Sequence, residues 1–542
     1  MTARSPVEAL DTHEVFNQAA PLEDVDLFAT DRALSDAVAK AGAGEHAGRL
    51  SALGKRAGSA EVQGWGTEAN RVLPVLETHD RYGRRIDEVT FHPAYHELMR
   101  LGLESGFASA AWDGTANGHA LHAATLMLST QPDAGTTCPM TMTYAAVPAL
   151  AAEPDVAIEW TPRILAGRYD PSVRPANEKA GVTIGMAMTE KQGGSDVRAN
   201  TTKAVAAPDT GAGWYSLTGH KWFCSAPMCD AFLTLAYADG GLTCFLLPRW
   251  LPDATRNAGF RVMRLKDKMG DKSNASSEVE YHGALARRVG PEGRGVATII
   301  QMVQHTRLDC VMGSAGQMRW GLAQAAWHAA HRSAFQKRLV DQPAMANVLA
   351  DLALESEAAT AVGLRLAQAF DEEDPIARLL TPVAKYWVCK RAPGMIYEAM
   401  EAHGGAGYVE TGPMGRLFRQ SPLNAIWEGS GNVIALDVLR AAAREPKSVE
   451  AQRAFLLAQR GKNTAYDRAL NAFDWKNLHQ GTARLGVERL ALMAQAAVLL
   501  GWDNPVADAF CTLRLEERGM AYGAFDAMLD TRAIIERAMP DA

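Results

Sequence analysis

Long apolar runs, paired cysteines and an excess of positive charge are all missing from this 542-residue chain. No apolar stretch reaches the roughly 20 residues that a bilayer demands, so a membrane span is not expected. The first residues lack a basic segment followed by an apolar one, so no secretory leader is expected either. The seven cysteines (Cys138, Cys224, Cys229, Cys244, Cys310, Cys389, Cys511) are scattered and form no CxxC pair. Cys224 and Cys229 lack the second half of a zinc site, so no metal is expected, and the thiols read as buried groups of a reducing cytoplasm. A net charge of −7 argues against a general nucleic-acid coat, while local basic faces remain open. No internal repeat or low-complexity tract is present. No βαβ alternation surrounds any glycine-rich turn, which excludes a Rossmann unit.

What is present is an ordinary globular composition, 47% hydrophobic and 22% charged, in a chain long enough to need several cores. From about Ala33 to Leu165 apolar residues recur every three or four positions, predicting helices. Near Gly181 the texture changes to aromatic and β-branched runs separated by Gly, Asp and Pro, which predicts short antiparallel strands. After GPEGRG (290–295) helical periodicity returns, with 344–371 and 381–401 as bundle partners of one long helix or two in series. A last helical block starts near Pro446. The expected divisions are 1–180, 181–290, 291–445 and 446–542, an α+β chain.

Three separated stretches carry candidate chemistry. In MAMTEKQGGSDV (186–197), the main chain around Gly193 and Gly194, with the Thr189 and Ser195 hydroxyls, suits either a plain turn or a surface for a flat polar ring. In TGHKWFCS (218–225), Phe223 and Ser225 share a strand face, as core packing or as a flat-ring platform. In IWEGSGNVIALDVLR (426–440), Asn432 or Ser430 is a candidate N-cap whose helix N-terminus would present free N–H groups to a phosphate. Glu428, beside Trp427 at the lip of that turn, reads as an exposed turn residue or as a base with a raised pKa. Arg332, Phe335 and Gln342 follow the long helix; Arg332 suits a surface charge or a diphosphate contact. Gly404 and Gly405 suit a helix stop or a ligand approach.

The order and spacing of these segments resemble the acyl-CoA dehydrogenase superfamily over roughly 12–440. MTEKQGGSD looks like that family's first signature and GHKWFCS like its flavin-stacking strand. R-x-x-F with a downstream Gln is similar to the segment that reaches an FAD diphosphate in a neighbouring subunit, and IWEGSGN to the loop of the catalytic glutamate. THEVFNQAAPL, CPMTMTYAA, RLKDKMGDKSNAS and the extra C-terminal helices are similar to the AidB-type adaptive-response branch, linked to protection from DNA alkylation.

The resemblance implies a fold of N-terminal helices, a central β-barrel or sandwich, a four-helix bundle and an added helical region. It implies FAD held by Met186, Met188, Thr189, Gly194, Ser195, Phe223, Cys224, Ser225, Ile426, Trp427, Gly429, Ser430 and Asn432, with Arg332, Phe335, Gln342, Gly404 and Gly405 toward the diphosphate and adenine. Glu428 would be the base. Some relatives place the base on the long helix, where this chain has Thr306, which cannot serve. Gln336 departs from the glycine usual after the Phe, and Glu401 from a glutamine.

The implied chemistry is α,β-dehydrogenation of an acyl-CoA thioester, slow and of isovaleryl type, in a cytoplasmic homotetramer. The branch also implies duplex DNA as a partner, with Arg440 and the terminal helices as the matching region. From Arg444 onward there are 13 basic and 13 acidic residues, so that region has no net charge. An ordinary catabolic acyl-CoA dehydrogenase without a DNA role is the alternative.

Overall fold

The computed structural model describes residues 7–516, 519–526 and 528–540. Side chains that compete for backbone N–H groups start the early helices. Asp31 accepts from Leu34 N at 3.1 Å ahead of Arg32–Lys40, and Ser59 caps Ala60–Arg71 in the same way. Pro93 opens Pro93–Glu104, where its missing N–H costs nothing.

The helical reading of this region misses one element. Val75–His79 and Arg85–Thr90 form an antiparallel hairpin. In RIDEVT the buried positions are Asp87 and Val89, so a charge stands on the inward face and breaks the two-residue apolar alternation.

Strands from Ile184–Ala187 through Ser276–Val289 build one seven-stranded sheet. The fourteen-residue strand Ser276–Val289 pairs with Trp214–Ser225, Gly241–Pro248 and Phe260–Leu265. The expected antiparallel arrangement holds for these pairs but not throughout. Ile184–Ala187 runs parallel to Ala231–Ala238, because two further strands intervene before the chain returns beside it.

The segment after Gly295 is a single helix, Gly295–His331, buried on every side for most of its length. Pro343–Asp371 and Ala377–Glu401 pack on it, and so do Gly118–Thr130 and Thr137–Leu150 from the N-terminal region. Beyond Pro446, Ala483–Gly501 lies against both bundle helices and against Gly431–Arg444. The helix Thr531–Ala538 returns to the bundle, where Arg537 Nε lies 3.0 Å from each Glu357 oxygen. All seven cysteines are buried and free. Among the described residues no helix is long and apolar enough to cross a membrane.

Candidate active site

The loop after Ile184–Ala187 is fixed from below by its own charged residue. Glu190 has no exposed surface and meets Lys221 Nζ at 2.9 Å, also without exposure. The same carboxylate accepts from the backbone N–H and hydroxyl of both Thr201 and Thr202. Burial pushes the Glu190 pKa up, but Lys221 and these donors outweigh it and hold the carboxyl well below its ordinary value. Thr189 O takes the Trp222 N–H at 2.8 Å, which ties the loop to the neighbouring strand. Met186, Met188 and Thr189 are half-buried, and Ser195 stands in solvent. Gly194 is demanded by a close approach, because a Cβ there would lie 2.3 Å from Thr189 Oγ1.

Trp214–Ser225 carries an extra residue between Lys221 and Cys224 relative to Ser276–Val289, a β-bulge. The bulge turns Phe223 outward, where it stays 51% exposed, while Cys224 points into the barrel with no exposure. Only the Cys224 backbone can therefore face a ligand. Ser225 is on the outer side, 3.1 Å from Ser276 Oγ. Lys266 Nζ sits 4.7 Å from the Phe223 ring centroid.

Glu428 sits in a turn held by two buried cations. Its φ is +57°, a region that non-glycine residues enter only at a cost. Lys385, from Ala377–Glu401, donates to Trp427 O at 2.9 Å and to Gly429 O. Arg307, from the long helix, donates through Nε to Glu428 O at 3.1 Å and through Nη1 to Asp437 at 2.7 Å. Three consecutive carbonyls are thus tied to the bundle, which fixes where the half-buried carboxyl points. Thr306 Oγ1 lies 2.7 Å from Glu428 Oε2. Burial raises the Glu428 pKa, the Thr306 hydroxyl and the Arg307 and Lys385 charges draw it back, and the balance stays above the ordinary value. A carboxylate with raised basicity, fixed on its main chain, is suited to removing a proton from carbon.

Ser430, not Asn432, is the N-cap of Gly431–Arg444, and its side chain makes no capping bond. Asn432 Oδ1 instead accepts from Arg484 Nη1 at 3.2 Å, so the C-terminal helical region reaches this turn. Ile426 is 63% exposed.

Arg332 ends the long helix and donates to Asn17 O at 2.6 Å, while Asn17 exchanges two hydrogen bonds with the Ser333 backbone. Phe335 and Gln336, at φ +50° and +66°, form the two-residue turn of a hairpin between 333–334 and 337–338. Gln342 Nε2 donates to Ala334 O at 3.0 Å and braces that hairpin, leaving Phe335 93% exposed. Gly404 and Gly405 are exposed, with open space where a Cβ would stand. Arg440 is 60% exposed and lies 3.3 Å from Asp437 on its own helix, a weak contact that leaves most of the guanidinium in solvent.

The supporting residues Lys385, Arg307, Asp437, Lys221 and Arg484 are not among those the sequence singles out. Lys385 had a readable signal, a lone charge inside the apolar run LLTPVAKYWVC. Arg307 and Asp437 carry none, since their pairing joins positions 130 residues apart.

Three family models match the chain: the adaptive response protein AidB N-terminal domain over residues 17–171, the acyl-CoA dehydrogenase middle domain over 185–284 and the acyl-CoA dehydrogenase C-terminal domain over 293–443. The AidB protein of Escherichia coli (strain K12) is 43% identical over 520 residues, covering 94% of this chain and 95% of that one. The chain belongs to the acyl-CoA dehydrogenase family, in its AidB branch. Acyl-CoA dehydrogenase family member 11 of Caenorhabditis elegans is 34% identical over 419 residues, 72% of this chain and 66% of that one. The crystal structure of Caenorhabditis elegans ACDH-11 in complex with C11-CoA superposes with a TM-score of 0.84 at 26% identity, covering 96% of each chain. The protein is accordingly an FAD-dependent oxidoreductase of the acyl-CoA dehydrogenase type, and its α+β architecture is that family's.

Proposed function

We propose that this protein removes a proton and a hydride from the α and β carbons of a small acyl-CoA thioester of isovaleryl type, with Glu428 as the base. The observation that carries this reading is the fixation of the Glu428 turn by Lys385 and Arg307, which aims a carboxyl of raised pKa from one defined place. The acyl-CoA bound to the nematode neighbour supports a thioester as substrate.

The residues present suit FAD. Phe223 and Ile426 offer exposed apolar surface, Gly404 and Gly405 offer open backbone, and the helix behind Ser430 begins without a side-chain cap. Met186, Met188, Thr189, Gly194, Ser195, Phe223, Ser225, Trp427, Gly429 and the Cys224 backbone would hold the ring and its chain. Arg332, Phe335 and Gln342 would reach the cofactor of a second copy in a homotetramer, which suits an exposed Phe on a braced hairpin. FAD bound there would take the β-hydride. Backbone and hydroxyl donors would stabilise enolate-like charge on the thioester oxygen, and the fixed turn would keep the Glu428 carboxylate at the α-proton. Anaerobic mixing of the purified yellow protein with isovaleryl-CoA should bleach the flavin slowly. Brisk turnover across several chain lengths would instead favour the catabolic reading.

The branch supports a finer role in the cytoplasmic response to DNA alkylation, with segment 446–542 as a unit that binds duplex DNA together with Arg440. The mostly free Arg440 guanidinium suits a phosphate, and the helices beyond 446 can sort their balanced charges by face. A gel-shift titration should show duplex binding at low salt that weakens steeply as salt rises, with Arg440→Ala lowering the salt slope by about 1. No duplex affinity at low salt would remove this role.

A further inference from the structure

A base that alternates between charged and neutral needs a neighbour that bonds to both forms. Thr306 Oγ1 lies 2.7 Å from Glu428 Oε2 and 3.1 Å from Val303 O, one turn back on its own helix. A hydroxyl has a single proton to donate and lone pairs to accept with, so it cannot donate fully to both oxygens. Two arrangements satisfy every group. With Glu428 ionised, Thr306 donates to Oε2. With Glu428 protonated, the carboxylic acid donates to Oγ1 and the Thr306 proton turns to Val303 O. No heavy atom moves between them.

The other charged groups around the turn lack this property. Arg307 and Lys385 are donors only, and their bonds go to the carbonyls of residues 427–429 and to Asp437. Asp309, on the same helix as Thr306, is engaged by His122 at 2.8 Å and by Thr141 at 2.6 Å. Asp437, on the helix after the turn, is taken by Arg307, Arg378 and Arg440.

We propose that Thr306 is the positioning residue of the base, a hydroxyl that reverses its hydrogen bond as Glu428 gains a proton, so that the carboxyl keeps its place in both charge states. Its catalytic meaning rests on Glu428 being the base, but the reversal itself is testable without turnover. No covalent bond changes at Thr306. The proton that Glu428 gains is the one the thioester's α-carbon loses, and it is later released to water.

The test is the titration of Glu428 in the holoprotein, read from its carboxyl infrared band by difference against Glu428→Gln. Thr306→Val removes the bond of both charge states, and because the charge-assisted bond to the ionised carboxyl is the stronger, the titration should still move up, by about one pH unit. Thr306→Ser keeps the hydroxyl and should titrate with the parent protein. The pH profile of flavin bleaching by isovaleryl-CoA should shift in parallel. Thr306→Ala carries the same expectation should the valine variant not accumulate. A valine or alanine variant that titrates with the parent, or a serine variant that shifts as far as they do, overturns the proposal. If the parent flavin is never bleached by isovaleryl-CoA, the substrate reading fails, while the infrared titration still decides the role of Thr306.

Discussion

The Glu428→Gln holoprotein should keep its FAD and its fold, yet be reduced by isovaleryl-CoA about 10²- to 10⁴-fold more slowly than the parent. The amide fills the same space and can still meet the Thr306 hydroxyl, so the substitution removes basicity and little else. The main-chain carbonyls of 427–429 remain tied to Lys385 and Arg307, so the turn should not move. Stopped-flow bleaching of the flavin measures the rate, and thermal melting checks that stability is unchanged. Undiminished reduction would remove Glu428 from the chemistry. Where the parent is active, its rate should rise with pH through the raised pKa of Glu428, because only the ionised carboxyl can accept the proton.

Lys221→Met should cost about 3–5 kcal/mol of stability, the penalty of leaving a buried charge without its partner. Glu190 and Lys221 face each other at 2.9 Å with no solvent at either group. Removing the ammonium leaves the carboxylate with neutral donors, those of Thr201, Thr202 and the Gln192 amide. Its folded pKa then rises, and the sign of the pH response follows. In the parent the folded pKa lies below the ordinary 4.5, so the stability it contributes is present above that pH and is lost on acidification. In the variant the raised folded pKa reverses the contribution, so the deficit narrows as pH falls through the range where Glu190 becomes neutral. Adding Glu190→Gln to Lys221→Met should recover much of the loss. Denaturant melts at two pH values check both statements. The loop that Glu190 anchors carries Met186 to Ser195, so the single variant should also be purified with less FAD.

Much of this architecture was legible because its signals are local. Strand alternation, the glycine-rich turn at 193–194 and the near-continuous helical pattern after 295 each follow from neighbouring residues. The hairpin at 75–90 is not legible because Asp87 occupies a buried position beside Val89 and interrupts the apolar alternation. The parallel pairing of Ile184–Ala187 escaped because direction within a sheet is set by the connections, not by the strand's own residues.

The site was legible in its main chain and less so in its supports. The alternation places Phe223 and Ser225 on one face but leaves open whether that face is core; the bulge beside them, which no composition signals, leaves Phe223 exposed. Cys224 faces the core for the same reason that Phe223 does not. Glu428 could be named from its motif, but the two cations under its turn could not, since each belongs to a distant helix. Thr306 is legible in the sequence only as a residue that cannot be a base; its hydrogen bond to Glu428 follows from the packing of the turn against the long helix.

We propose that three separated stretches, 186–195, 223–225 and 426–436, form one site for FAD. The most direct test is the visible absorption spectrum of the purified recombinant protein, with its FAD content measured after denaturation. A yellow protein carrying about one FAD per chain is the expected result, and variants that fill Gly194 or truncate Phe223 should lose it. A colourless protein that takes up no FAD when supplied with it would contradict the account.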